Sequence, residues 1–246
     1  MGLKKLGAHL QLRLIQLLKE PGYVVSTLVF PALFFLIFAL PNADTAPKAR
    51  FLLGSFSAFA VLGVCFFQFG VQHALEIRSG WFAFVRTLPA REWHRVAAQW
   101  LGAWICAFLS ALAVYMTIRF STDLDIELSR WLWLVLVLMV ASMPFALFSA
   151  ALAVFVGGAA ALPVFNLIYI LSSFAGGLWL PPNALPSKVE LVSRYLPTRH
   201  LGEVVWKVAL GEAVEVKYVL FLGAFGALSF ALLWLTTKFE SHLSRC

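Results

Sequence analysis

Few side chains in this sequence have the type and spacing that catalysis or metal binding requires. His73 and Glu76 lie one helical turn apart, so they could share a hydrogen bond or supply a general base. The other histidines are dispersed, and none pairs with a cysteine or an aspartate at ligand spacing. Cys65, Cys106 and Cys246 show no CxxC spacing, and two of them lie in apolar runs. The sequence therefore predicts no metal site and no disulfide framework.

The motifs of the common enzyme classes do not occur in the sequence either. It contains no GxxxxGK(S/T), and hence no phosphate-cradling loop of its own, and it contains no HExxH and no GxSxG. We therefore expect a chain that is not an enzyme and that holds no cofactor.

Residues 76–95 form the densest charged patch between two long apolar runs. The segment combines charged residues with large aromatic residues: Glu76, Arg78, Arg86, Arg91, Glu92 and Arg95 with Trp81, Phe82, Phe84 and Trp93. Such a segment suits docking onto another protein, and it equally suits a cytoplasmic loop with interfacial aromatics. The residues alone favour neither interpretation.

The composition places most of the chain in lipid. Of its 246 residues 61% are hydrophobic and only 13% are charged, whereas soluble domains carry about 25% charged residues. The net charge of +7 would suggest nucleic acid as the partner of a soluble protein. Here the charges lie in loops and ends, so anionic headgroups and membrane topology explain them better and no nucleic acid is expected.

The apolar runs predict an all-α polytopic membrane protein with six transmembrane helices. No charged residue occurs from Trp131 to Pro186, a stretch more than twice the ~20 residues that one span needs, and Gly157-Gly158 marks a tight turn near its middle. The first span contains Pro31, which lipid-embedded helices tolerate. The predicted spans are 23–40, 51–75, 96–118, 131–156, 160–179 and 218–237, within a transmembrane domain of residues 22–246.

Two further segments are predicted to be helical without spanning. Residues 1–21 contain leucines at helical spacing opposite basic residues, which indicates an amphipathic surface helix, with a soluble tail as the alternative. Residues 181–217 begin with Pro181-Pro182. Pro186 and Pro197 there predict short helices at about 187–195 and 198–210. These helices would enter the membrane partway, or form an interfacial hairpin.

The basic residues predict the orientation. Six spans place both termini on one side, and the terminal segments and the 76–95 loop carry more lysine and arginine than the short loops opposite. The positive-inside rule then makes both termini cytoplasmic, although the basic residues of 181–217 weaken the comparison. The span centres contain essentially no charged residues, which argues against a proton-driven carrier. A secondary transporter driven by another ion gradient, an intramembrane enzyme and a structural scaffold remain alternatives.

The order of several short elements resembles the ABC-2 type permease family, the membrane subunits of ATP-binding-cassette exporters such as the daunorubicin-resistance type. The likeness covers essentially the whole chain. It rests on these elements in sequence: Pro21-Gly22, Pro31, Glu76-x-Arg78-x-Gly80, Arg86-x-x-Pro89, Gly176-Gly177, Pro181, Leu185-Pro186, Leu196-Pro197 and Gly211. Ile77 departs from the common pattern, in which a charged residue often follows the glutamate.

The resemblance implies partners. Residues 78–90 would form a coupling helix seated in a separate ATPase subunit that binds ATP and Mg. A second permease copy, identical or similar, would complete the pathway, and residues 184–210 would be paired re-entrant helices on the outer side. The chain would lie in the plasma membrane, the inner membrane in a bacterium. Family members move drugs, lipids, glycan precursors and peptides, so the substrate stays open.

Specific residues follow as hypotheses from this resemblance. Gly80 would permit close backbone approach to the ATPase, Trp81 and Phe84 would anchor there, and Arg78 and Arg86 would pair with its acidic residues. The resulting coupling set is Glu76, Arg78, Gly80, Trp81, Phe84, Arg86 and Pro89. Aromatic residues would line the path of an amphipathic or lipophilic substrate, with ordinary packing as the alternative for each: Phe34, Phe35, Phe66, Phe67, Phe69 and Phe174.

Overall fold

The computed structural model describes residues 21–80, 92–121 and 126–243, and residues 7, 10–12, 14, 15 and 19. Six helices within these ranges are long and apolar enough to cross a membrane. No strand occurs in the ranges described. The predicted all-α architecture with six candidate spans is thus confirmed.

The helices are numbered here in chain order. The candidate spans are α1 (Pro21–Asn42), α2 (Ala46–Glu76), α3 (Glu92–Ser121), α4 (Leu128–Ala153), α5 (Gly158–Ala175) and α8 (Val216–Leu243). Between α5 and α8 lie a 3-10 turn, Pro182–Ala184, and two short helices, α6 (Ser187–Ser193) and α7 (Pro197–Leu210).

Helix α2 is the centre of the bundle. Its most apolar stretch is 94% buried, against 17% for α8. Small residues on α2 let its neighbours approach closely. A Cβ added at Gly54 would lie 3.2 Å from Ala209 of α7, and one at Gly70 would lie 2.5 Å from the Phe165 ring of α5. The glycines of α2 therefore set the distance between the central helix and the elements around it.

Helix α1 is interrupted by wider turns. Its backbone is π-helical at Val25–Val29 and at Phe35–Ala39, and Pro31 lies between these stretches. A proline inside a helix has no N–H to donate and crowds the carbonyl of the preceding turn. A widened turn immediately before Pro31 fits that constraint.

Helix ends differ from the predicted spans where proline or glycine determines them. Helix α2 begins at Ala46 rather than at 51, because Pro47 occupies its first turn. Helix α5 ends at Ala175 rather than at 179, because Gly177 adopts φ +83°, which terminates the helix. Gly211 (φ +79°) ends α7 in the same way, and the N–H of Glu212 donates to the Lys207 carbonyl oxygen across 2.7 Å.

Helix α8 packs on the outer side of α4. The Phe225 ring of α8 lies 5.2 Å from that of Phe145 and 5.7 Å from that of Phe148. Gly226 faces Pro144, with 3.3 Å between the proline ring and the position a Cβ would take. Helix α8 therefore lies at the edge of the bundle.

Candidate functional site

The end of α2 leads directly into the predicted coupling segment. Three hydrogen bonds form the turn there: Ile77 N–H to the His73 carbonyl oxygen (3.0 Å), and Ser79 N–H (2.9 Å) and Ser79 Oγ (2.7 Å) to the Glu76 carbonyl oxygen. Glu76 is half-buried, and Gly80 is exposed; among the described residues, no heavy atom lies within 4 Å of the position its Cβ would take. The chain therefore leaves α2 in a defined direction.

Arg78 connects this turn to the end of α4. Its Nη1 donates to the carbonyl oxygens of Ala74 (3.1 Å) and Ala153 (3.3 Å), and its Nη2 donates to that of Val154 (2.9 Å). Ala153 is the last residue of α4, where carbonyls lack helical partners and the helix dipole is negative. The guanidinium thus caps α4 and joins the end of α2 to the α4–α5 turn.

The remaining coupling residues, Trp81, Phe84, Arg86 and Pro89, lie outside the described residues, and their role stays a prediction. The pairing of Arg78 with an acidic residue of an ATPase also stays a prediction. The sequence offered no signal for the contact that Arg78 makes within the chain, because Ala153 and Val154 take part through backbone oxygens about 75 positions away.

The phenylalanines predicted for a substrate path do not share one surface. Four of them are at most 5% exposed and pack inside the bundle: Phe35, Phe66, Phe67 and Phe69. The rings of Phe66 and Phe67 lie 6.1 and 5.7 Å from the ring of Tyr169 in α5. Within one copy of the chain these side chains form part of the core, and a role in transport stays a prediction.

Phe34 and Phe174, by contrast, meet at Trp179. The Trp179 ring lies 5.0 Å from Phe34, 6.2 Å from Phe174 and 5.5 Å from Phe59. These residues come from α1, α2 and the end of α5. Trp179 was not among the predicted path residues, although its position at the end of the predicted span 160–179 is typical of interfacial tryptophan.

Buried polar contacts also link the first three spans. Tyr23 Oη donates to Gln68 Oε1 (3.0 Å), and Gln68 Nε2 donates to the carbonyl oxygen of Gln99 (3.1 Å). Gln68 is fully buried within the π-helical stretch Cys65–Gln72 of α2. Both the oxygen and the nitrogen of the Gln68 amide thus have a hydrogen-bond partner, which a polar group buried away from water needs.

A cavity lies among α2, α3 and α4, beside Cys65 and Ser142. Its volume is about 20 Å³, which is room for one water molecule. Sites for drug-sized ligands occupy about 300–1,000 Å³. This cavity is therefore too small to hold a drug-sized substrate.

Each of the two short helices between α5 and α8 begins at a proline, as the sequence analysis predicted. Pro186 precedes α6, and Pro197 is the first residue of α7. Helix α7 is anchored to the core: Thr198 Oγ1 donates to the Ser172 carbonyl oxygen (2.8 Å), and Trp206 Nε1 donates to Ser55 Oγ (2.6 Å). The sequence analysis did not single out either of these two contacts.

Helix α6 and the segment that follows α7 are more open. Leu191, Val192 and Tyr195 are exposed by 66%, 55% and 76%. Beyond α7, Glu215 accepts a hydrogen bond from Lys217 across 2.6 Å, and this bond lowers the pKa of Glu215. The segment thus combines an anchored helix, an exposed apolar helix and a paired set of charges.

Comparison with known proteins identifies the class of this bundle. The profile of the family described as ABC-2 type transporter matches residues 5–210. A protein of Bacillus subtilis (strain 168) named "Putative transport permease YvfS" is 24% identical over 214 residues, which cover 85% of this chain and 87% of that protein. No solved structure gives a significant match. The match to most of the chain, together with six apolar helices, shows that this protein is a membrane transport permease and belongs to the ABC-2 type transporter family.

Proposed function

We propose that the chain is the permease subunit of an ATP-binding-cassette exporter, and that a separate ATPase subunit, which binds ATP and Mg, drives it through residues 76–95. The family typically works with an ATPase subunit. The observation that carries the proposal is the Arg78 contact with Ala153 and Val154. Because one guanidinium joins α2, α4 and the turn before α5, a push on the segment after Gly80 would move three spans together.

The exposed faces of the outer helices support a second permease copy. The most apolar stretches of α1 and α5 are only 29% and 22% buried. A path bounded by these two helices would be open on one side within a single copy. A second copy, identical or similar, would close it. The exposed surfaces are apolar, including Leu33, Ile37, Leu167 and Leu171. They fit an amphipathic or lipophilic substrate better than an ion.

The terminal and outer segments take up interfacial positions in this proposal. Residues 1–21 form the connecting helix at the cytoplasmic membrane surface, and Leu14 contacts the core while Leu12 is 59% exposed. Helices α6 and α7 enter the outer side partway, with Leu191 and Val192 against lipid. Four basic residues of this segment, Arg194, Arg199, Lys207 and Lys217, lie within 4 Å of carboxylates, and the Arg194–Glu190 and Arg199–Glu203 pairs are both at 2.7 Å. Both termini are then cytoplasmic, in a plasma membrane that is the inner one in a bacterium.

Coexpression with the ATPase subunit tests the proposal. The wild-type chain should copurify with that ATPase and, in liposomes, move a fluorescent amphipathic drug such as daunorubicin with vanadate-sensitive ATP hydrolysis. Replacing both Trp81 and Phe84 by alanine should separate hydrolysis from drug movement, because buried aromatics often carry interface binding energy. A matched control replaces the exposed Trp133 and Leu132 of α4 by alanine, away from the segment. Drug movement that continues without ATP and stops with an ionophore would instead identify a secondary transporter.

A further inference from the structure

A cluster of aromatic rings lies where α1, α2 and the end of α5 meet. The centroid of the Trp179 ring is within 6.5 Å of four phenylalanine rings, those of Phe34, Phe38, Phe59 and Phe174. Phe59 is fully buried, whereas Phe38 is 52% exposed and Trp179 is only partly buried. These five residues, called here the Trp179 cluster, therefore combine a buried base with partly exposed aromatic surface.

Other aromatic rings of the protein already have a cation of the chain beside them. The charged group lies 3.8 to 5.6 Å from the ring centroid in three pairs: Arg199–Trp206, Lys217–Tyr218 and Lys238–Trp234. The attraction arises because the face of an aromatic ring carries negative partial charge. Among the described residues, no lysine or arginine lies over a ring of the Trp179 cluster. Its ring faces are thus left for a cation from outside the chain.

The segments that carry most of the cluster have no charged side chain of their own. Residues 21–42 and 158–181 contain no Asp, Glu, Lys or Arg. No basic residue of these segments would repel a cation, and no carboxylate of theirs would pair with one. A small inorganic ion would lose its hydration there at a high cost, because no opposite charge replaces the water. A large organic cation spreads its charge over many atoms, so its loss of hydration costs less.

We propose that the Trp179 cluster binds a lipophilic organic cation, with a quaternary ammonium or phosphonium centre, and that such amphiphiles are the substrates of the path bounded by α1 and α5. Tryptophan attracts cations more strongly than the other aromatic residues do, and Trp179 is the central ring of the cluster. The surrounding phenylalanine rings would cover the hydrocarbon part of the same ligand. This inference names the substrate class of the proposed function and rests on that function for the path.

Binding of tritiated tetraphenylphosphonium to the full-length chain in lipid nanodiscs tests the site, and empty nanodiscs measure the part that dissolves in lipid. Trp179→Leu should raise the dissociation constant by about five- to thirty-fold, as expected for one desolvated cation–π contact. Trp179→Phe keeps a weaker aromatic face and should give an intermediate value. The matched control, Trp133→Leu, removes an indole that is 58% exposed on α4 and should leave the constant unchanged.

A second variant and a pair of competitors test the recognition of charge. Should Trp179→Leu fail to fold, Phe38→Leu at the exposed side of the cluster should raise the dissociation constant by about two- to five-fold. Phenyltrimethylammonium should displace tetraphenylphosphonium, whereas tert-butylbenzene, its neutral counterpart of the same shape, should not do so at equal free concentration. Equal displacement by both compounds, or wild-type affinity in the folded variants of Trp179 and Phe38, would overturn the inference.

The outcomes separate this inference from the proposed function. If the assembly with the ATPase moves a neutral lipophile at the expense of ATP, and the wild-type chain does not bind tetraphenylphosphonium, the inference alone is wrong. If tetraphenylphosphonium binds and its binding depends on Trp179, but ATP drives no movement of any compound, the cation site stands. The exporter function, and with it the role of the cation as substrate, is then wrong.

Discussion

The indole of Trp206 donates a hydrogen bond to the hydroxyl of Ser55 across 2.6 Å, although 151 positions separate the two residues. The Trp206 ring also stacks on Phe51 at 4.8 Å, and both partners in the hydrogen bond are buried. The contact fastens α7, which lies between the last two spans, to the central helix α2. Movement of α2 would therefore reach α7 directly.

Loss of this hydrogen bond should destabilise the fold. In Ser55→Ala the buried indole N–H loses its acceptor, which costs about 1–3 kcal/mol. Equilibrium unfolding in mixed detergent and SDS micelles measures the change. Trp206→Phe added to Ser55→Ala should cost less than the sum of the single changes, because the donor is then absent too. Thr237→Ala, at an exposed position, is the control. Strict additivity would show that the bond contributes nothing.

The closest approach between α2 and α5 predicts a second effect. A methyl group at Gly70 would lie 2.5 Å from the Phe165 ring, which is itself fully buried and cannot move aside. Gly70→Ala should therefore lower the free energy of unfolding by about 1–3 kcal/mol. Gly223→Ala is the matched control, because nothing lies within 4 Å of that position.

A compensating change sharpens this test. Phe165→Leu creates space next to residue 70, so the double variant with Gly70→Ala should regain part of the lost stability. If Gly70→Ala and Gly223→Ala unfold at the same denaturant concentration, the close packing of α2 on α5 is wrong.

Arg78 should matter more for coupling than for folding. The side chain is exposed and caps a helix end, a kind of interaction worth about 0.3–1 kcal/mol at the surface. Arg78→Ala should thus fold nearly as well as the wild type and still bind the ATPase. The ATPase in complex with this variant should still hydrolyse ATP, but with much less daunorubicin movement per ATP, because α4 is no longer joined to α2.

Arg78→Lys distinguishes the geometry from the charge. A lysine keeps the positive charge but not the planar fork that reaches three carbonyl oxygens at once. We expect drug movement per ATP between those of the wild type and Arg78→Ala in reconstituted liposomes. Wild-type coupling in Arg78→Ala would refute the joint between α2 and α4.

The orientation can be read from single cysteines. Asp44 and Glu212 have side chains exposed by 60% and 56% in the loops before α2 and after α7. Cysteines at these positions should react with a membrane-impermeant maleimide in intact cells. Gly80→Cys should react only after permeabilisation, and the buried Cys65 and Cys106 should not react in the folded protein. The reverse pattern would place both termini outside.

Much of the architecture follows from local sequence. Six long apolar runs leave the chain no environment but lipid, and within lipid a helix satisfies its own backbone. Pro186, Pro197 and Gly211 fix where the short helices begin and end, since each acts on the backbone of its own neighbourhood. The elements of the family resemblance are also local, so they could be read without coordinates.

Only the tertiary structure decided which faces of those helices meet. The type of an apolar residue does not reveal whether its side chain faces lipid or another helix, because the two environments are equally apolar. Phe66 and Phe69 are therefore buried in the core while Phe38 is 52% exposed, though all three lie in apolar runs. The contacts of Arg78 with Val154 and of Trp206 with Ser55 depend on distant residues brought together by packing.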